Sequence, residues 1–346
     1  MKKLLKHISP LAPDDSGACS VLYELGGITV ICDAGGCAGN VCGFDEPRWF
    51  EKRSALFSAG LRDMDAILGR DELLVKKLAK ITEQIGAEFT AIVGTPVPAV
   101  IATDMKALER MSEKKTGLPC MAFRTDGTRL YDYGEELVYT RLFDQFAVGE
   151  LPVKKGRLGV IGATPLNTGE TCSRRIADKL LAEGWDEVVC FGMDSGLDDI
   201  RNAGECERLL VIAPSGLRAA RLMQERFGTP FDVRYPLAEV PEDISGVKVL
   251  VIHQQTAANS IREILETRGC EVVCASWFGM YDSLKREGDV RIKGEDDLQA
   301  LAAEGGFDVI LADEFFRRAV PDFAGRWYDL PHFAVSGRLC RGTADR

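Results

Sequence analysis

Short apolar runs, each closed by a turn signal and followed by a stretch of helical period, recur along the chain from residue 157 onward. They predict strands at 157–161, 187–191, 208–212 and 231–234, with helices at 169–184, 197–203 and 216–227 between them. The cycle then restarts, with strands at 248–252, 271–275 and 307–311 and helices at 257–268 and 295–304. Apolar strands that alternate with helices join through right-handed crossovers into parallel sheets. Two such units in succession predict two doubly wound domains that meet near Pro241 to Gly246.

The first 150 residues are less regular. Residues 28–31 and 90–93 read as strands and 71–85 as an amphipathic helix. Between them runs a glycine- and cysteine-rich stretch, Gly35-Gly36-Cys37-Ala38-Gly39-Asn40-Val41-Cys42-Gly43. The fold class expected is α/β, with three consecutive Rossmann-like domains built on parallel sheets over 1–150, 151–242 and 243–346.

A chain of 346 residues can build two or three cores. Hydrophobic residues at 46% and charged residues at 28% exclude disordered and fibrous classes. A net charge of −10 argues against a nucleic-acid surface, which needs a basic stripe. The basic start Met1-Lys2-Lys3 is interrupted by charge and by Pro10 before an apolar signal core can form. The longest apolar runs are strand-sized and cannot span a bilayer, so a cytoplasmic protein is expected. In that compartment 11 cysteines do not form a disulfide framework; buried thiols, metal ligands and reactive thiols remain.

Four of them, Cys19, Cys32, Cys37 and Cys42, fall within 24 residues. Soft thiolates are the usual ligands of iron–sulfur clusters. Glycine beside a ligating cysteine lets the backbone approach a cluster, and Gly17-Ala18-Cys19 and Gly35-Gly36-Cys37 both have that form, with Gly36 a cluster contact. Cys32, directly after Val30-Ile31, is expected in the core, and the spacing leaves Cys42 open. Cys190, Cys270 and Cys274 lie on or beside expected strands, and Cys120, Cys172, Cys206 and Cys340 have no pairing logic. Three histidines make a histidine-rich zinc site a poor fit, and His253 and His332 read as structural. No Walker-type phosphate loop exists, and Gly159-Val160-Ile161-Gly162 lacks the third glycine of a dinucleotide fingerprint. Ser215-Gly216, opening a helix, reads either as an anion site or as a plain N-cap.

In this order the pieces resemble the catalytic component of nitrogenase and its relatives, the light-independent protochlorophyllide reductases and the nickel-sirohydrochlorin reductive cyclase. Cys19 resembles the first cysteine of that family's Gly-x-Cys segment. Cys37-Ala38-Gly39 resembles its Gly-Pro-x-x-Cys-Ala loop, after a shorter gap and with Gly35 where proline is expected. Asp65-Ala66-Ile67-Leu68-Gly69 is similar to the segment before the family's next helix. In the stretch from Val93 to Asp104, Pro96 stands where a third cysteine is expected. The central Phe191-Gly192-Met193-Asp194-Ser195, with 209–213 and 218–230, resembles the second domain.

The resemblance implies an iron–sulfur cluster held by Cys19 and Cys37. Two chains related by a two-fold axis would bring four thiolates to one shared [4Fe–4S] cluster, in a homodimer or a heterodimer with a related subunit. It implies an ATP-hydrolysing iron protein as electron donor and a substrate between the domains, with Arg62, Asp63 and Asp65 as candidate lining. Ile212 or Ala213 falls where true nitrogenase has the cysteine of its active-site cofactor, so no iron–molybdenum cofactor is expected. The competing functions are a non-catalytic scaffold or carrier for a metal cluster or tetrapyrrole, and a cluster-free binder of small molecules.

Overall fold

The computed structural model describes residues 5–149 and 151–340, and its strands form three parallel sheets in succession. The basic start at Met1 to Leu4 and the expected boundary residue Glu150 lie outside the described residues. The first sheet contains β1 (Ile28–Ile31), β2 (Leu56–Ser58), β3 (Thr90–Val93) and β4 (Cys120–Phe123), in the order β2-β1-β3-β4. β5 (Lys154–Ile161), β6 (Glu187–Cys190), β7 (Cys206–Val211) and β8 (Phe231–Val233) form the second, ordered β6-β5-β7-β8. The third is β11-β10-β9-β12-β13, from β9 (Lys248–Ile252), β10 (Glu271–Ser276), β11 (Val290–Arg291), β12 (Val309–Ala312) and β13 (Arg326–Asp329). Central strands such as β1, β3 and β12 are buried along their whole length, which is why they read as unbroken apolar runs.

Helices carry most of what the pattern did not announce. In the first unit they are α1 (Asp14–Leu22), α2 (Gly36–Asn40), α3 (Asp63–Leu68), α4 (Asp71–Thr82), α5 (Pro96–Val100), α6 (Met105–Thr116) and α7 (Tyr131–Phe146). The expected helix at 169–184 is shortened to Arg174–Ala182, because Gly169, with φ 69°, instead ends a separate short helix at Pro165–Thr168. The cysteine-rich stretch is helical, not a loop: α2 runs directly into a π turn at Val41–Asp45.

α1 and α7 cross with their backbones in contact. A Cβ at Gly17 would be driven into the carbonyl oxygen of Tyr131, and one at Gly134 into that of Asp14. Gly17 is therefore glycine for helix packing, which corrects the expectation that it serves a cluster. Beyond α7 lies α8 (Leu217–Phe227) of the second unit, and Leu22, Tyr139, Phe143, Phe191 and Met223 share one core across the two units. Tyr131, Leu166, Phe278 and Phe333 form the core that ties in the third.

Candidate functional site

The side-chain alternation of β1 sorts the cysteines. Ile28, Val30 and Cys32 face one core, while Ile31 faces the other together with Cys19. Cys32 is therefore separated from Cys19 by the sheet; burial, then Asp71 and Asp33, push its thiol up to about 12.

Cys19, Cys37 and Cys42 gather on the other side. Cys19 lies in the buried body of α1, and the half-buried Cys37 and Cys42 pack against the same core. Burial raises the Cys19 thiol well above its ordinary range, with Asp15 and then Cys42 adding to the rise. Cys37 is raised by burial, Asp15 and Asp33, opposed by a hydrogen bond with the Thr95 side chain. Cys42 is raised by burial, Glu46 and Asp33.

The sheet order explains the place. The chain leaves β1 for β2 on one side and returns to β3 on the other, so a crevice opens at the carboxyl ends of β1 and β3. The Cys37 segment follows β1 and Thr95 follows β3. Asp33 caps the arrangement by accepting the Ala38 N–H at 2.8 Å and the Ser58 hydroxyl at 2.5 Å. Thr95 Oγ1 donates to the Cys32 carbonyl at 2.8 Å. Pro96, in place of a third cysteine, opens α5.

Glycines make room here. Gly35 takes φ 115°, and a Cβ at Gly35, Gly36 or Gly39 would meet nothing within 4 Å. A donor set of thiols, open glycine backbone and a buried carboxylate oxygen without a partner, Asp15 Oδ1, fits an iron–sulfur cluster. Among the described residues no three His, Cys, Asp or Glu side chains converge closely enough to hold a single metal ion. Sequence reasoning missed Asp15, Asp33 and Thr95. The four-residue step from Asp15 to Cys19 was legible only once 14–22 was known to be helical.

The first unit also leaves large apolar side chains in water. Phe44, in the π turn with Cys42, is 74% exposed, Phe50 75% and Val100 of α5 84%. Behind them Arg48 is fully buried and holds Glu46 and Glu24 at 2.7 and 3.0 Å.

Where the three units meet, the interior is filled by polar groups. Glu135 of α7 accepts from Thr164 Oγ1 (2.5 Å), Asn167 Nδ2 (2.8 Å) and Ser215 Oγ (2.7 Å). Burial pushes its carboxyl up to about 7 against those bonds. The Ser215 hydroxyl is thus spent on Glu135 and does not cap the helix that follows. Tyr131 donates to Asn167 Oδ1 at 2.7 Å and lies 3.1 Å from His332 Nε2. His332 stacks edge-on with His253, both held neutral by burial. Outside this core a cleft of about 490 Å³ opens between the units, lined by Arg129, Asp132, Glu136, Tyr281 and Arg291. Asp65 instead accepts the Arg62 N–H at the start of α3 and faces a smaller cavity walled by the first unit alone. Among the described residues no helix is long and apolar enough to cross a membrane.

The chain is 25% identical over 206 residues to the nitrogenase iron-molybdenum cofactor biosynthesis protein NifE of Rhizobium meliloti (strain 1021). That match covers 57% of this chain and 42% of the relative, so the chain spans about two fifths of the length of the curated relative it matches. A solved structure titled "Nitrogenase Cp1 at pH 6.5" superposes with a TM-score of 0.72 at 10% identity, over 95% of this chain and 87% of that one. Another, "Nitrogenase Cp1 at pH 5", gives 0.73 at 13% identity, over 98% and 86%. Residues 17–238 match the model of the nitrogenase component 1 type oxidoreductases, and the chain belongs to that family.

Proposed function

We propose that this chain is a subunit of a nitrogenase-like oxidoreductase that binds a [4Fe–4S] cluster through Cys19 and Cys37. The observation that supports the reading is that both residues pack on one core, with Cys37 following β1 into the crevice beyond β1 and β3, beside open glycine backbone. Such a cluster, when bound, supplies a one-electron carrier between an ATP-dependent iron protein and a substrate.

The chain's own residues do the holding. Asp33 fixes the start of α2 and so the position of Cys37, and Gly36 leaves the backbone N–H groups open to a sulfide-rich group. Two thiolates fill two of four iron positions; either a second copy or further donors of this chain fill the others. Phe44, Phe50 and Val100 form a docking face for a second chain of this kind, identical or related. The cleft between the units is the place for a small substrate.

The test is anaerobic reconstitution with iron and sulfide, followed by stopped-flow reduction with and without a nitrogenase-type iron protein and MgATP. A brown protein, bleached by Cys37→Ala, whose reduction requires the iron protein is expected. A protein that stays colourless, or that NADH alone reduces equally fast, sinks the reading.

A second reading, a scaffold on which a metal cofactor or tetrapyrrole is assembled, is favoured by the likeness to a cofactor biosynthesis protein. It is separated from the first by substrate turnover, which a scaffold lacks.

A further inference from the structure

Unfavourable charges gather at one place on the first unit. Lys106 is the second residue of α6, at the end where the helix dipole disfavours a cation. Arg110 follows four residues later on the same face, so two like charges repel across one turn. Arg124 comes directly after β4, and all three side chains line one cavity. The chain as a whole carries a net charge of −10, so this cluster reverses the local sign.

The neighbouring carboxylates are engaged elsewhere. Asp104 accepts the N–H groups of Lys106 and Ala107 at 3.0 and 3.1 Å. Glu109 accepts from Arg141 at 3.1 Å and from the Ala122 N–H at 2.8 Å. Glu113 accepts the Cys120 N–H at 3.2 Å. Among the described residues no ion pair includes Lys106, Arg110 or Arg124. Because Asp104 already holds the first turn of α6, the free valence belongs to the side chains and not to the helix end. A local rule broken three times without an answer inside the chain points to an answer from outside it.

The cavity has the size and the walls for an organic anion. It measures about 550 Å³ and lies beyond the carboxyl ends of β3 and β4, where parallel sheets take their ligands. Pro98, Ala99 and Met105 give it an apolar side. Ala102, also in the wall, has φ 56°, a left-handed conformation that is unfavourable for a residue with a Cβ and collects at binding sites. Three cations suit a phosphate ester, which carries close to two charges at neutral pH and three acceptor oxygens. A carboxylate offers one charge and two oxygens.

We propose that Lys106, Arg110 and Arg124 bind the phosphate group of a small organic phosphate whose carbon skeleton lies against Pro98, Ala99 and Met105. No cysteine lines this cavity, so the site stands whether or not the thiols hold a cluster.

The test is titration calorimetry on the full chain with phenyl phosphate, with inorganic phosphate and with phthalate, which carries two carboxylates on the same ring. Saturable binding of phenyl phosphate is expected, tighter than that of inorganic phosphate and of phthalate. Arg110→Gln and Arg124→Gln should each weaken it about tenfold, the loss of one charge-assisted bond. Lys155→Gln, which removes an exposed cation on β5, should leave it unchanged. All three proposed ligands are exposed, so the variants should fold. Arg110→Gln should even raise the thermal midpoint of the free protein by removing a repulsion, and phenyl phosphate should then raise it less than in wild type. No saturable heat, or wild-type affinity in both arginine variants, would overturn the site. Phthalate binding as tightly as phenyl phosphate would overturn the assignment to phosphate.

Discussion

Arg48 of the first unit donates to the carbonyl oxygen of Gly192 in the second, 2.8 Å away, while the same guanidinium holds Glu46 and Glu24. The segment just after Cys42 is thus bolted to the neighbouring unit from inside. Arg48→Met leaves Glu46 buried with its charge unpaired, and a loss of about 3–5 kcal/mol is expected in urea unfolding at neutral pH. Arg48→Met combined with Glu46→Gln should cost clearly less than the single change. Equal cost for the two would mean that the pair is not coupled.

Two glycines near the site should respond in opposite ways. Gly17→Ala forces α1 away from Tyr131 and is expected to cost about 3 kcal/mol, because neither backbone can yield. Gly36→Ala meets nothing and should stay within about 0.5 kcal/mol of wild type. Iron uptake should fall in Gly36→Ala even so, which iron analysis of the reconstituted protein checks.

Glu135 predicts a pH dependence of folding. Its carboxyl, ordinarily near 4.5, is raised to about 7 by burial, so the folded protein keeps a proton that the unfolded chain releases in between. Its contribution to stability is whole below pH 4.5 and is lost as pH rises through 7, a change of about 3 kcal/mol. Asp15, raised to about 7 by burial and by Asp14, adds to the same window. Glu135→Gln should therefore gain on wild type as pH rises from 4.5 to 7.5, in urea midpoints measured without added iron. Parallel curves would exclude the assignment.

The exposed rings of Phe44 and Phe50 are expected to hold a second chain. Phe44→Asp with Phe50→Asp should abolish any dimer seen by light scattering while leaving the thermal midpoint of the chain within a few degrees, since both rings are already in water. A dimer that survives both changes uses another surface.

The sheets were legible because strands such as 28–31, 90–93 and 309–312 are buried on both faces and are written as continuous apolar runs. α4 was legible for the opposite reason, with Leu74, Val75 and Leu78 buried on one face. α1 was not, because all nine of its residues are buried, and a helix without a wet side has no apolar stripe. Nor was the helix over Gly36–Asn40, whose glycines have poor intrinsic propensity and are held by Asp33 and the core beneath. Cys37 was legible as a candidate from its glycine loop, and Cys19 with the help of the family resemblance. Asp15 was not, since nothing in a sequence distinguishes a carboxylate that will lose its water from one that will keep it.

The π turn at Val41–Asp45 has a genetic consequence. Its defining bond runs from the Glu46 N–H to the Val41 carbonyl, five residues back, so it holds one residue more than an ordinary helical turn. Deleting a single codon within it would let the ordinary pattern close with the two flanks in nearly the same relative direction, because the extra residue is what the turn absorbs. Cys37 would then keep its direction relative to Glu46 and Arg48. A lineage can gain or lose one residue here in a single in-frame step without turning the cysteines away from their neighbours.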